Sequence, residues 1–178
     1  MDWKELSDEL KTSEGVFNIL PWTIRKVGKY NIDVPLELTA TSDKFTTGYM
    51  KDLKEGIYLW IFPCGLVRKV GLFGEGVGSD FNSRYSAYRS AAKNIWENEG
   101  EYIVPSGRSN GSAAPIKCIL DKLKVGEEVK IAVMEVQTIT TEVLIEGYKR
   151  PMTINKALIE DNIKKIIENK NPNQLYLS

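Results

Sequence analysis

Two apolar segments on either side of a short turn constrain the fold of this chain more than any other feature. The stretch GIYLWIFPCGLVRKVG runs from Gly56 to Gly71, with a Pro-Cys-Gly turn between its halves. Both halves are rich in β-branched and aromatic residues, which favour strands, and Pro and Gly mark the turn. The pattern predicts a buried β-hairpin, yet Tyr58 and Lys69 lie within it. What these two polar side chains do in a core is the first question that the sequence raises.

The rest of the chain predicts helices around a small sheet. Apolar residues recur at helical spacing in four further segments. These predicted helices cover residues 2–12, 81–100, 116–126 and 153–172. Residues 127–137 alternate in polarity and predict a strand. We expect Thr153 to cap the last helix and residues 141–152 to form a connection. The order of elements predicts an α+β fold with a small, mainly antiparallel sheet flanked by helices.

The chain length suits one compact core. With 178 residues, 42% of them hydrophobic, the chain is long enough to bury a substantial apolar interior. Residues 16–50 mix Pro, Gly and Thr with short apolar stretches. We predict an N-terminal extension over 1–50 that wraps or supports the core, and a main domain over 51–178.

Composition excludes several classes of site and location. The chain has no histidine and only two cysteines, Cys64 and Cys118, so catalytic triads with histidine, zinc ribbons and disulfide frameworks are excluded. No apolar run reaches the roughly 18 residues of a membrane span. The start, MDWKELSDEL, is polar and unlike a signal peptide, so we expect a cytoplasmic protein with no membrane partner. A formal net charge of zero disfavours a broad basic surface for nucleic acid, though a local patch stays open.

Five ionisable residues stand out because of the elements that carry them. Tyr58 and Lys69 lie on adjacent predicted strands, and Arg84 and Tyr88 lie one turn apart on the next helix. Glu160 lies between apolar positions of the last helix, where a carboxylate is costly to bury unless it is paired. Each has an ordinary explanation as well. The tyrosines suit a core, Lys69 and Arg84 suit a surface, and Glu160 could pair with Lys164 at i+4.

Taken together and in this order, these residues resemble the GIY-YIG nuclease superfamily. Gly56-Ile57-Tyr58 is the first signature, and Lys69-Val70-Gly71 occupies the place of the second, Tyr-Ile-Gly. The helix SRYSAYRS resembles the arginine-containing helix of UvrC-type excision nucleases, and ALIEDNIKK resembles their glutamate-containing helix. A lysine in place of the second tyrosine is similar to certain type II restriction enzymes, and helix order and loop length look like phage endonuclease II.

The resemblance implies a GIY-YIG endonuclease that hydrolyses phosphodiester bonds of double-stranded DNA. It implies Tyr58 as general base, Lys69 and Arg84 as residues that position phosphate or water, and Tyr88 as a phosphate or water partner. Glu160 would be the ligand of a Mg²⁺ (or Mn²⁺) ion, since one carboxylate with open water positions suits a hard cation. A free tyrosine is a poor base at neutral pH, so we expect a nearby cation, with Lys69 the natural candidate, to lower the pKa of Tyr58.

Further residues are of types that contact DNA. Arg108 and Asn110 lie in a Gly/Ser/Pro-rich loop and suit guanine and adenine edges, although the loop could equally be a plain linker. Three more cations, Arg89, Lys93 and Lys117, could contact phosphates or simply be solvated. Cutting both strands from one site per chain favours a homodimer.

Two other functions stay open at this stage. The chain could be a non-catalytic DNA-binding module that retains the nuclease fold. It could also be an unrelated α+β interaction protein, which the neutral charge permits.

Overall fold

The computed structural model describes residues 1–10, 17–27, 32–33, 53–74, 81–105, 113–137 and 139–175. Four helices lie in these ranges: α1 (Trp3–Leu10), α2 (Phe81–Glu97), α3 (Ala113–Lys122) and α4 (Lys156–Lys170). The strands described are β1 (Asn18–Lys26), β2 (Ile32–Asp33), β3 (Gly56–Ile61), β4 (Val67–Phe73), β5 (Glu128–Glu135), β6 (Ile139–Ile145) and β7 (Tyr148–Ile154).

The predicted hairpin forms one side of a five-stranded antiparallel sheet. Its strands lie in the order β2-β1-β5-β3-β4, so β3 is covered on both edges. Tyr58 pairs with Gly71 on β4 and with Val133 on β5. β1 pairs with β5 and so extends the same sheet from the N-terminal part of the chain. The α+β prediction is confirmed, as is the hairpin within it.

Both faces of the sheet are covered by helices, which explains why β3 is apolar throughout. Successive side chains of a strand point to opposite faces. Tyr58 and Trp60 belong to a core cluster shared with α2 and α3, whereas Ile57 and Leu59 belong to a cluster shared with α1 and α4. A strand buried on both faces has no polar side to alternate with its apolar side.

A separate two-stranded ribbon lies between β5 and α4 in the chain, and this corrects the prediction of a connection over residues 141–152. Among the described strands β6 pairs with β7 alone, from Ile139↔Ile154 to Ile145↔Tyr148. The turn between the strands is Glu146-Gly147, and both residues have positive φ, as two-residue hairpin turns require. The β-branched residues on either side of Gly147 were the signal for this hairpin in the sequence.

The ribbon is amphipathic. Paired residues on antiparallel strands point to the same face, so the register assigns each side chain to a face. One face carries Thr140, Glu142, Leu144, Lys149, Pro151 and Thr153. The other, which we call the apolar ribbon face, carries Ile139, Val143, Ile145, Tyr148, Met152 and Ile154 together with Thr141 and Arg150. Tyr148 is 70% exposed and Ile145 is 55% exposed, so this face has apolar side chains in contact with solvent.

The last helix begins later than predicted. Thr153 lies in β7, and the N-cap is Asn155, whose side-chain Oδ1 accepts a hydrogen bond from the backbone N–H of Leu158 at 3.0 Å. Thr153 is therefore not the cap. Asparagine caps at least as well as threonine, and the strand pairing of Thr153 with Thr140 removes it from the helix. In the described part of the chain, no helix is long and apolar enough to cross a membrane.

Candidate active site

The Tyr58 side chain lies in the middle of the sheet and is almost fully buried. Its hydroxyl shares a hydrogen bond of 2.6 Å with the hydroxyl of Tyr88 on α2. The rings of Phe81 and Tyr88 meet the Tyr58 ring edge-on, with centroids 5.9 Å and 6.5 Å away. The two phenols thus form a polar pair inside an aromatic cluster, and helix α2 is fixed to the sheet at this point.

The absence of a side chain at Gly71 leaves space for the Tyr58 ring. A Cβ atom at position 71 would lie 2.5 Å from both the Cζ and the hydroxyl oxygen of Tyr58. Real Cβ atoms do not approach other heavy atoms so closely, so any side chain here would displace the ring. Gly56 is restricted in a similar way, because its Cβ would collide with the Met134 carbonyl oxygen on β5. The glycines of both signatures therefore have a steric reason.

Lys69 shares the face of Tyr58, since it pairs with Trp60 across the hairpin. Its side chain is mostly buried, and its Nζ lies 6.0 Å from the centre of the Tyr58 ring. Burial lowers the pKa of Lys69 to about 8, assisted by the positive charges of Lys164 and Arg84 and opposed by Glu160. Lys69 therefore changes charge close to neutral pH, which ordinary lysines do not.

Arg84 lies in the first turns of α2 and is half-buried. Its Nε is buried and has no hydrogen-bond partner among the described residues. A buried donor without an acceptor costs about 1–3 kcal/mol, so a ligand oxygen at this position would be stabilised. Arg84 also counteracts the raised pKa of both tyrosines, so its charge acts on the phenol pair.

Glu160 is carried toward the same site by α4. Its carboxylate is mostly buried and forms an ion pair of 3.0 Å with Lys164, as the i+4 spacing allows. The negative charge of Glu160 raises the pKa of both Tyr58 and Lys69, so the three groups interact electrostatically. In the described residues, no cluster of three or more Cys, Asp or Glu side chains could hold a metal ion. Any metal here would depend on Glu160 and water.

The expected lowering of the Tyr58 pKa is wrong. Burial raises the pKa of Tyr58 well above its ordinary value, the charge and hydrogen bond of Tyr88 raise it further, and Arg84 offsets only part of this. The pKa of Tyr88 is also raised by burial. Both phenols keep their protons at neutral pH, because a tyrosinate inside an aromatic cluster loses its hydration.

Of the residues predicted to contact DNA, three lie on α2 and α3 and two lie outside the described ranges. Arg89 and Lys93 are exposed on α2, and Lys93 pairs with Glu97 at 3.6 Å. Lys117 on α3 pairs with Glu101 at 3.8 Å. Arg108 and Asn110 lie outside the described residues. Lys164 was weighed only as an ion-pair partner of Glu160, and the sequence held no signal for its effect on Lys69.

No known protein family matches this chain, and no curated protein is similar to it. Two solved structures are similar. The restriction endonuclease HPY188I in complex with product DNA is 14% identical, with a TM-score of 0.44 over 99% of this chain and 84% of that one. A bacteriophage T4 EndoII mutant is 15% identical, with a TM-score of 0.46 over 95% of this chain and 96% of that one.

We predict that Gly71→Ala destabilises the protein by about 1–3 kcal/mol, because the new methyl group overpacks against the Tyr58 ring. Urea denaturation measures this cost. In a Tyr58→Val background the ring is absent, so the cost of Gly71→Ala should largely disappear. Equal costs in the two backgrounds would contradict the steric coupling of Gly71 to Tyr58.

Proposed function

We propose that this protein is a Mg²⁺-dependent endonuclease of the GIY-YIG type that hydrolyses phosphodiester bonds of double-stranded DNA. The observation that carries the proposal is the buried Nε of Arg84, which has no hydrogen-bond partner among the described residues. Arg84 interacts electrostatically with the hydrogen-bonded tyrosine pair and with Lys69. These two cations and two phenols interact with one another, and such a set of side chains suits an anionic, oxygen-rich group. A DNA phosphate is such a group.

In this proposal Arg84 binds the scissile phosphate. A guanidinium offers several donors in a planar fork that matches phosphate oxygens. The phosphate would accept the hydrogen bond that Nε lacks among the described residues. Tyr88 would donate or accept a hydrogen bond at the same phosphate or at its waters.

Glu160 would hold the metal ion. Its carboxylate is a hard oxygen donor, and one carboxylate plus water is a common protein contribution to Mg²⁺ binding. When bound, Mg²⁺ or Mn²⁺ supplies positive charge that stabilises the developing charge on phosphate oxygens. To act as a ligand, Glu160 would give up its ion pair with Lys164.

Tyr58 would accept the proton of the attacking water, with Lys69 orienting that water. Only the tyrosinate form can accept a proton, and it is scarce at neutral pH because burial raises the pKa of Tyr58. The charge of Arg84 favours the tyrosinate. The productive state therefore combines a deprotonated Tyr58 with a protonated Lys69.

The subclass that we propose is a type II restriction or phage-type endonuclease. The position of Lys69 in the second signature supports it. The competing function is a DNA-binding module that retains the fold without cleavage.

We predict that Glu160→Gln reduces the rate of DNA cleavage by about 10²-fold or more but changes DNA affinity only a few-fold. Loss of the carboxylate charge removes the metal ligand, and even outer-shell partners of metal sites contribute 10–100-fold. Cleavage of a labelled DNA duplex measures the first effect, and binding of the same duplex in Ca²⁺ measures the second.

The matched control is Asp161→Asn, the same loss of charge at an exposed neighbour on α4, which should behave like the wild type. Equal cleavage by Glu160→Gln and the wild type would remove Glu160 from the site. Salt-sensitive DNA binding without cleavage by any variant would favour the binding module.

We predict that kcat/KM rises tenfold per pH unit below about pH 8 and levels off above it. The rise reflects the tyrosinate fraction of Tyr58, and the plateau begins where Lys69, whose pKa is about 8, loses its proton. Lys69→Arg keeps its charge at high pH. In that variant the rise should continue past pH 8, as stopped-flow cleavage across pH 6–10 would measure.

The conservative control is Lys4→Arg, a change at an exposed side chain of α1, and this variant should keep the wild-type pH profile. If Lys69 itself accepted the proton from water, the wild-type profile would be unchanged in shape, but Lys69→Arg would abolish cleavage at every pH. That result would reassign the general base from Tyr58 to Lys69.

We further propose that the protein is a homodimer joined through the apolar ribbon face. Two active sites are needed to cut both DNA strands together. The ribbon has one polar and one apolar face, and the apolar face is exposed to solvent. An isolated two-stranded hairpin is at best marginally stable in water, so a second ribbon packed against this face would stabilise both.

We predict that Ile145→Glu converts the dimer to a monomer. Its neighbour Leu144 is also exposed but lies on the opposite face, so Leu144→Glu should leave the dimer intact. Sedimentation equilibrium measures the mass of each. A monomeric wild type, or the same response to both substitutions, would contradict the assignment of this face.

A further inference from the structure

A buried ion pair lies at the start of α4, outside the five residues of the proposed site. Lys156 Nζ lies 3.1 Å from Glu55 Oε2 and donates a second hydrogen bond of 3.1 Å to the Phe73 carbonyl oxygen. The side chains of Lys156 and Glu55 are only 11% and 23% exposed. Both charges are thus largely removed from water and satisfied by each other and by the backbone.

The three partners lie in, or directly before, three of the four elements that carry the site. Glu55 lies directly before β3, which carries Tyr58, and Phe73 ends β4, which carries Lys69. Lys156 begins α4 one helical turn before Glu160. A single ammonium group therefore joins β3, β4 and α4 where their ends meet. This point lies within a few residues of Tyr58, Lys69 and Glu160 along the chain.

Glu55 is itself held firmly. Its backbone carbonyl accepts a hydrogen bond of 3.2 Å from the N–H of Val136 after β5. Gly74, which follows β4 and has a φ of +94°, lies so close to Glu55 that a Cβ atom there would collide with it. Lys156 is consequently tied to a fixed point of the sheet and not to a mobile surface carboxylate.

A lysine is an unfavourable residue at the first position of α4. A cation at the first residue of a helix interacts unfavourably with the helix dipole, and the first turn of α4 contains no acidic residue to compensate. A buried ion pair also adds little stability, since apolar residues of similar volume are commonly as stable or more so. Residues that break local rules without a gain in stability are expected near functional sites.

We propose that Lys156 is a positioning residue: its pair with Glu55 sets where α4 lies against β3 and β4, and so holds the Glu160 carboxylate at the distance from Tyr58 and Lys69 that the reaction needs. This inference rests on the proposed function. Lys156 touches no reacting atom in it. Its effect reaches the chemistry through the first turn of α4.

The test compares Lys156→Met, the double variant Lys156→Met/Glu55→Met, and Lys156→Arg. The double variant replaces the ion pair with apolar side chains, so it should unfold in urea near the wild-type midpoint. We expect its kcat to fall about 10–100-fold, the scale of outer-shell effects at metal sites, with KM for DNA changed less than about twofold. Lys156→Arg keeps the charge and should restore kcat to within about fivefold of the wild type.

A second readout does not depend on cleavage. Mn²⁺ binding to the DNA-free protein, followed by electron paramagnetic resonance, should weaken about 10–100-fold in the double variant and recover in Lys156→Arg. Lys165→Met, which removes an exposed lysine from the same helix, is the control and should leave both readouts unchanged.

The outcomes separate this inference from the proposed function. If the wild type cleaves DNA and the folded double variant retains its kcat and Mn²⁺ affinity, Lys156 is merely structural and the inference is overturned. If the wild type neither cleaves DNA nor loses Mn²⁺ binding on Glu160→Gln, the proposed function fails and this inference fails with it.

Discussion

The passage of the Tyr58 ring over Gly71 is the contact on which the site depends. It requires β3 and β4 to pair in one register, because a shift by one residue would move Tyr58 to the other face of the sheet. It also directs the phenol toward α2, where the hydroxyl of Tyr88 meets it at 2.6 Å. The same register puts Lys69 on the face of Tyr58. Sheet geometry thus determines which polar groups can meet.

Electrostatic strain follows from that geometry. Burial disfavours both a charged lysine and a charged tyrosine, and the pKa of Lys69 is lowered while that of Tyr58 is raised. Glu160, Arg84 and Lys164 adjust these pKa values without removing the effect of burial. Such perturbed groups are common at catalytic sites, where an anionic ligand can use the cations. The pair of Lys156 and Glu55 places two more largely buried charges at the ends of the elements that support the site.

The sequence predicted the parts of the fold that are set by local patterns. The hairpin over 56–71 was evident because both strands are buried and end at a Pro-Cys-Gly turn. Four helices were predicted from apolar spacing, although α4 begins at Lys156 because Thr153 is engaged in strand pairing. The ribbon of β6 and β7 was missed because three consecutive apolar residues, Val143, Leu144 and Ile145, interrupt the alternation that indicates a strand.

The candidate site was predicted less completely, for physical reasons. Residue types and order selected five candidate side chains, and their roles stay a prediction. The direction of the Tyr58 pKa shift was not predictable, because it depends on how deeply the sheet buries the side chain. Lys156 and Glu55 are 101 positions apart in the chain, so no local sequence pattern predicts that they pair. Long-range burial and pairing are properties of the folded chain.

Cleavage by the unaltered protein tests the central claim most directly. Purified protein would be incubated with supercoiled plasmid and with linear DNA of phage length, in Mg²⁺ or in EDTA, and the products separated on a gel. The account predicts linearised plasmid and cut linear DNA in Mg²⁺ and intact DNA in EDTA. Intact DNA with every divalent ion tested, on native and modified substrates, would contradict it.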